Sequence, residues 1–289
     1  MNGLKRYWKQ LTVFFSIFAL LFTVACSNQG GEEAKKEITL AYVNWDSEVA
    51  STHVIKKILE DEGFTVNLKQ VEAGPMWAGV ASGSADAMVA GWLPVTHKNY
   101  YDKYKNKIED LGPNLKGTKI GLVVPEYMDI ESIEDLNKVK GDLDGKIIGI
   151  DAGAGIMQAT EKAIKEYDLD LELVEGSSAA MAATLKKAID DKKPVVVTGW
   201  TPHWKFAKYD LKFLEDPKKT YGGEENIHTI AVKGLKEDSP EAYKILDNFN
   251  WTTEDMEAVM LDIQDGKDPE KAAADWVKEN SDKVKSWTK

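Results

Sequence analysis

Three tryptophans dominate the chemistry available to this chain: Trp45, Trp92 and Trp200, with no lysine or arginine directly adjoining them. Two of them stand in matching surroundings. Asp86-Ala-Met-Val-Ala-Gly-Trp-Leu-Pro-Val-Thr-His97 and Pro194-Val-Val-Val-Thr-Gly-Trp-Thr-Pro-His-Trp204 each carry an apolar run into Gly-Trp-x-Pro. Such a run predicts a strand covered on both faces. The Gly-Trp-x-Pro marks the strand's carboxyl end, where open α/β sheets bind ligands. Trp45 likewise closes the strand pattern Leu40-Ala-Tyr-Val-Asn-Trp45. Indole faces without a counter-charge suit a quaternary ammonium, which has no N–H to donate and is met by π-faces and dispersion.

A second device lies in Gly145-Lys-Ile-Ile-Gly-Ile-Asp-Ala-Gly-Ala-Gly-Ile-Met157, which reads as strand, glycine-rich turn and helix start. It lacks the third glycine or the Gly-Lys-Ser/Thr ending of a phosphate loop. It offers free backbone N–H groups at a helix N-terminus, a site for an anion such as a small carboxylate, with Gly155 and Ile156 as the donors. The other reading is that the glycines merely permit a tight βα turn. Taken with the indoles, the turn implies a ligand with a methylated cation at one end and a carboxylate at the other.

Elements to position these groups recur in two units of roughly fifty residues, each strand–helix–strand–helix–strand–Gly-Trp-x-Pro, which predicts two similar lobes. Leu40–Trp45 parallels Ile147–Asp151 as the leading strand, and Thr65–Val71 parallels Leu171–Glu175 as the second. Charged, Tyr- and Lys-rich helices are expected over Lys98–Lys107 and Lys205–Lys212. Asp46 or Ser47 is expected to cap the helix carrying Val54, Ile55, Ile58 and Leu59, with Glu48 a first-turn acid and Trp77 ordinary core. Thr118–Pro125 is a strand in the crossover between lobes, and Ile130–Leu136 begins a short helix. His228–Val232 is the returning strand. The remainder is helical over 242–249, 253–263 and 269–287, with Asp or Thr caps, and offers packing rather than chemistry.

The chain begins with Lys5, Arg6 and Lys9, an apolar run from Leu11 to Ala25, then Cys26. This is the pattern of a secretory signal, and the run is shorter than the ~20 residues a spanning helix needs. Thr23-Val-Ala-Cys26 resembles a bacterial lipobox, which implies lipidation of Cys26; Thr23 stands where leucine is usual. As the sole cysteine, Cys26 allows no intramolecular disulfide. Ser27–Glu37 has almost no apolar residue and is expected to be a flexible tether. The whole chain carries 37 basic and 48 acidic residues. Without Met1–Ala25, which holds three of the basic ones, 34 stand against 48, a net −14. That balance argues against nucleic acid and against electrostatic adhesion to anionic lipid. The four histidines, His53, His97, His203 and His228, lack metal-ligand spacing, so no metal is expected. No nucleophile elbow or triad context appears, leaving a surface hydrolase built on Asp46, Glu48 or Asp151 as a remote alternative.

From about Ile38 to Thr288 the chain resembles the glycine betaine/proline betaine substrate-binding proteins of ABC uptake systems. The resemblance rests on Ala41-Tyr-Val-Asn-Trp-Asp-Ser-Glu48, Gly91-Trp-Leu-Pro-Val-Thr-His97, Gly149-Ile-Asp-Ala-Gly-Ala-Gly-Ile-Met157 and Thr198-Gly-Trp-Thr-Pro-His-Trp204. It departs at Ala152, where relatives can carry proline. It implies a type II periplasmic-binding-protein-like α/β fold, with two lobes, each a mostly parallel sheet flanked by helices, and the ligand in the cleft between them. It also implies a prism of Trp45, Trp92 and Trp200 around the trimethylammonium, carboxylate donors at Gly155 and Ile156, and an accessory contact from His97. The expected division is a signal peptide at 1–25, a tether at 26–37, lobe 1 at 38–122 plus 235–289, and lobe 2 at 123–234. The expected function is non-enzymatic, cofactor-free capture of glycine betaine or a related osmoprotectant outside the cytoplasm. The protein would be a lipid-anchored monomer that delivers its ligand to a membrane permease. The alternatives are carnitine, choline or another quaternary amine, or a surface sensor. Three cation–π contacts at up to ~2 kcal/mol each and two charge-assisted hydrogen bonds at ~1.5–3 each give roughly 9–12 kcal/mol gross. Association costs at least ~4, leaving about 5–8 kcal/mol and micromolar affinity.

Overall fold

The computed structural model describes residues 35–289; the signal segment, Cys26 and most of the expected tether lie outside the described residues. The end of that tether is held rather than free. The Lys35 amide donates to the Asp238 carbonyl, the Lys35 ammonium pairs with Asp86 at 2.6 Å, and Glu37 already begins the first strand.

The first half builds a parallel core by helical crossovers. β1 (Glu37–Tyr42) pairs in parallel with β2 (Thr65–Gln70), and α1 (Asp46–Asp61) connects them. α2 (Ala73–Ser82) leads to β3 (Ala87–Leu93), which lies parallel to β1 on its other side. All of β3 is buried, as its unbroken apolar run requires. α3 (Lys98–Tyr104) follows the Trp92 turn. Trp77 is fully buried core.

β4 (Ile108–Pro125) then passes from one sheet to the other. Its first part pairs antiparallel with β9 (Glu225–Val232), and its last part pairs antiparallel with β7 (Val197–Thr201) and β8 (Leu211–Phe213). Three register shifts lie between Asp110 and Thr118, and Gly112 and Gly117 take positive φ there. Bulges of this kind bend a strand and sharpen its twist, which lets one strand serve two sheets.

The second half repeats the parallel plan. After a 3-10 turn (Ile133–Val139) come β5 (Lys146–Ile148), α4 (Gly155–Glu166), β6 (Glu172–Val174), α5 (Ser178–Asp190) and β7. β5 is parallel to both β6 and β7. α6 (Lys205–Lys208) and β8 precede β9. The chain ends in α7 (Leu235–Asp238), α8 (Pro240–Asn248), α9 (Thr253–Gln264), α10 (Pro269–Glu279) and α11 (Ser281–Thr288). α9 and α10 pack against α1. Phe249, Trp251, Trp276 and Trp287 form an aromatic core there, with Trp276 and Trp287 stacked at 6.1 Å. No helix among the described residues is long and apolar enough to cross a membrane.

Four expectations need adjusting. The sheets are mixed rather than mostly parallel, because the connecting strands β4 and β9 run antiparallel to their neighbours. β9, expected in lobe 2, pairs with β3 and the first part of β4, so it belongs to the first sheet. The helix expected over Lys205–Lys212 is a single turn, since Leu211–Phe213 is drawn into pairing with Val123–Pro125 and Phe213 stacks on Phe206. The helix expected over 269–287 breaks at Asn280, whose side chain returns to the Trp276 carbonyl.

Candidate ligand-binding site

The carboxyl ends of the parallel strands in the two halves face one pocket. Trp45, Trp92, Trp200, His97, Gly155 and Ile156 all line it, together with Ser47, Thr96, Ile120, Ile150 and Ala154. The space between these side chains is about 300 Å³ with its open mouth included, so it suits a compact molecule. The three indoles are between 3 and 6% exposed, so a cation among them would be stripped of most of its water.

Each half delivers an indole by the same local arrangement. Gly91-Trp92 lies opposite β9, with Gly91 facing His228, and Gly199-Trp200 lies opposite β4, with Gly199 facing Gly121. A Cβ at Gly91 would come within 2.9 Å of Ile230, and one at Gly199 within 2.5 Å of Val123. The glycine of each Gly-Trp-x-Pro thus makes room for the connecting strand beside it. The peptide before each proline is cis.

Carboxyl groups hold two of the indoles. Trp45 Nε1 donates to Asp151 Oδ2 at 2.8 Å, joining the two halves, and Trp92 Nε1 donates to Glu48 Oε1 at 2.9 Å. These acceptors fix the ring planes and, when ionised, polarise the rings toward a more negative π-face. Glu48 is 1% exposed, and burial pushes its carboxyl up to about 8 against the opposing pull of the Trp92 N–H. It therefore holds its proton at neutral pH.

Asp46 does not cap α1. Its side chain instead reaches the other half, accepting from Trp204 Nε1 at 2.7 Å and Ser178 Oγ at 2.9 Å, with His203 Nε2 at 3.4 Å. Burial alone would raise its carboxyl. The His203, Trp204 and Ser178 partners outweigh that and hold it well below the usual carboxylate range. The halves also meet where Tyr100 Oη donates to the Gly153 carbonyl at 2.8 Å and Asn99 Nδ2 to Gln158 Oε1 at 2.9 Å.

The anion end is equally defined. α4 begins at Gly155, with Ala154 as its N-cap residue, and the Gly155 and Ile156 amides make no hydrogen bond among the described residues. His97 is fully buried, which drives its imidazole down to about 3 against a smaller pull from the Ala90 carbonyl. The neutral ring accepts the Trp92 amide on Nδ1 at 3.1 Å, so its hydrogen sits on Nε2. Nε2 has no partner of acceptable geometry among the described residues. Two free backbone N–H groups therefore border a pocket walled by three indoles and His97, an arrangement suited to a small zwitterion.

One expectation about the indoles does not hold. Lys205, five residues after Trp200, lays its Nζ 4.4 Å from the centre of the Trp200 ring. The partners Asp46, Glu48 and Asp151 were also assigned no such role from sequence. Their one signal was position, in Trp45-Asp-Ser-Glu48 and at the end of the second leading strand. No group of three or more His, Cys, Asp and Glu residues converges as metal ligands among the described residues.

A family model described as the substrate binding domain of ABC-type glycine betaine transport systems matches residues 36–279. The glycine betaine/carnitine transport binding protein of Listeria monocytogenes is 64% identical over 145 residues. That match spans about half of each protein, 49% of this chain and 48% of the relative. Among solved structures, lactococcal OpuAC in its closed, glycine betaine-bound conformation superposes with a TM-score of 0.85 at 52% identity. The alignment covers 88% of this chain and all of that one. An ABC-transporter choline binding protein in complex with choline gives 0.82 at 28% identity, covering 87% and 91%.

Proposed function

The chain belongs to the family of substrate-binding domains of ABC-type glycine betaine transport systems, and on that premise we propose how it captures its ligand. Glycine betaine enters with its trimethylammonium among Trp45, Trp92 and Trp200. Its carboxylate accepts from the Gly155 and Ile156 amides and from His97 Nε2. The observation that carries this reading is the meeting of three sheltered indoles and two unpartnered backbone N–H donors around one small pocket. The two halves hinge on β4 and β9, dividing between Thr118 and Lys119 and again near Glu225, and close over the ligand. The closed form then docks on the importer's permease outside the cytoplasm. In this reading the protein is a monomer tethered through lipidated Cys26, and it captures without catalysing.

A structural relative holds choline, which makes choline the second reading. Choline has no carboxylate and would leave the Gly155 and Ile156 N–H donors idle, so the donors favour a betaine. Titrating tryptophan fluorescence of the full-length protein with glycine betaine, choline, carnitine and unmethylated glycine tests the proposal. A saturable micromolar response to glycine betaine, absent with glycine, is expected. Tighter binding of choline than of glycine betaine would overturn the carboxylate assignment, and no response to any quaternary amine would overturn the cage.

A further inference from the structure

Lys205 is a buried cation for which ligand capture supplies no use. It is 0% exposed, and its Nζ has no hydrogen-bond partner among the described residues. Proteins rarely bury an ammonium unpaired, because desolvation costs several kcal/mol. A methionine or leucine would fill the same space without that cost. What Nζ does have is aromatic surface: the Trp200 ring at 4.4 Å and the Phe206 ring at 5.8 Å. Its stem passes beside Gly199, where a Cβ would lie 3.4 Å from Lys205 Cε. Trp200 lines the pocket and Lys205 does not, so the amine meets the indole outside the ligand space.

We infer that Lys205 sets the strength of the cage from behind, its ammonium competing with the bound cation for the π-system of Trp200. An indole shared between two cations holds each less well, and the two repel across the ring. When the amine is neutral, both effects vanish. The titratable and charged groups facing it are His203, from the same turn, and Asp46, from the start of α1. Burial lowers the amine to about 7, with Asp46 pulling the other way, so both charge states are populated near neutral pH. The consequence is a binding protein that tightens its grip as the surroundings turn alkaline and loosens it in acid.

The inference rests on the reading that the pocket holds a quaternary ammonium. Calorimetric titration of the full-length protein with glycine betaine between about pH 6 and 8.5 tests it. Glu48 titrates in the same window and in the same sense, so the comparison is made in Glu48→Gln, with and without Lys205→Met. Two unit charges about 9 Å apart at an effective dielectric near 20 correspond to roughly a twentyfold effect, of which about tenfold falls within this pH range. Glu48→Gln alone is expected to bind about tenfold more tightly at the alkaline end. Adding Lys205→Met should remove the slope and give about tenfold tighter binding at the acid end. Persistence of the slope in the double variant, or no gain at the acid end, overturns the inference. Should the double variant fail to fold, a flat profile in Glu48→Gln overturns it equally, and a sloped one with Lys205→Gln flat supports it. A native protein that binds betaine while Lys205→Met changes nothing refutes this inference alone. A native protein that binds no quaternary amine at any pH refutes the reading of the site, and this inference with it.

Discussion

Replacing Gly155 with alanine separates closure from folding. A Cβ at this position would lie 2.1 Å from the Thr96 carbonyl oxygen and 2.8 Å from its carbon. Thr96 cannot simply yield, because its amide and that of Val95 donate to Glu225 at 2.9 and 3.2 Å. Reaching an ordinary contact of 3.4 Å requires a retreat of 3.4 − 2.1 = 1.3 Å, which the two halves supply by opening. An opening of that size breaks the 2.8 Å Tyr100–Gly153 hydrogen bond and draws the carboxylate donors of α4 away from the Trp45 and Trp92 side. Loss of two or three charged or cross-half hydrogen bonds at about 1.5–3 kcal/mol each predicts a total of about 3–9 kcal/mol. Affinity for glycine betaine should therefore fall at least a hundredfold. Folding should move the other way. Gly155 is not among the positive-φ glycines and opens a helix, where alanine gains up to about 1 kcal/mol. Calorimetric titration would give the affinity, and a ligand-free melt should rise by about 2–4 °C. Unchanged affinity within about threefold, with the melt lowered, would refute the argument that this glycine exists for the approach of the two halves.

Asp46→Ala removes the acceptor shared by Trp204 and Ser178, bonds that form only when the halves meet. Two charge-assisted bonds, reduced because the side chain is 28% exposed, come to about 2–3 kcal/mol and predict roughly 30- to 150-fold weaker binding by calorimetry. The ligand-free melt should stay nearly constant; a large drop would make Asp46 a folding residue instead. Acid provides another test. His97 and His203 are held down to about 3 and 4, below the ordinary 6.5, so the unfolded chain binds more protons in between. Their stability is present above about pH 6.5 and is lost as pH falls toward those values, about 2 kcal/mol each by pH 5. Glu48, raised to about 8, runs in the opposite sense and partly offsets the loss. The clean measure is a difference: His97→Gln should lose about 2 kcal/mol less than the native chain between pH 6.5 and 5 in denaturant unfolding, and equal losses would refute the assignment.

Local signals settled much of this protein. Apolar runs ending in Gly-Trp-x-Pro marked β3 and β7, and the residues singled out around them line one pocket. Helix starts were also legible where a side chain could cap its own turn, as at Thr252 and Asp268. These depend on interactions spanning only a few residues, which the order of side chains specifies directly. Long-range pairing was not legible. β9 belongs to the first sheet because β4 bends through its bulges to meet it, and Leu211–Phe213 became a strand because the end of β4 had an open edge. The same holds for charge at the site. Asp46 looked like a helix cap and Glu48 like a first-turn acid until the fold brought Trp204 and Trp92 to them. Lys205 looked like a helix-surface lysine until the fold buried its ammonium against the Trp200 ring. A side chain's type and local period state what it can do; only tertiary structure decides which partner, across a hundred residues or more, it does it to.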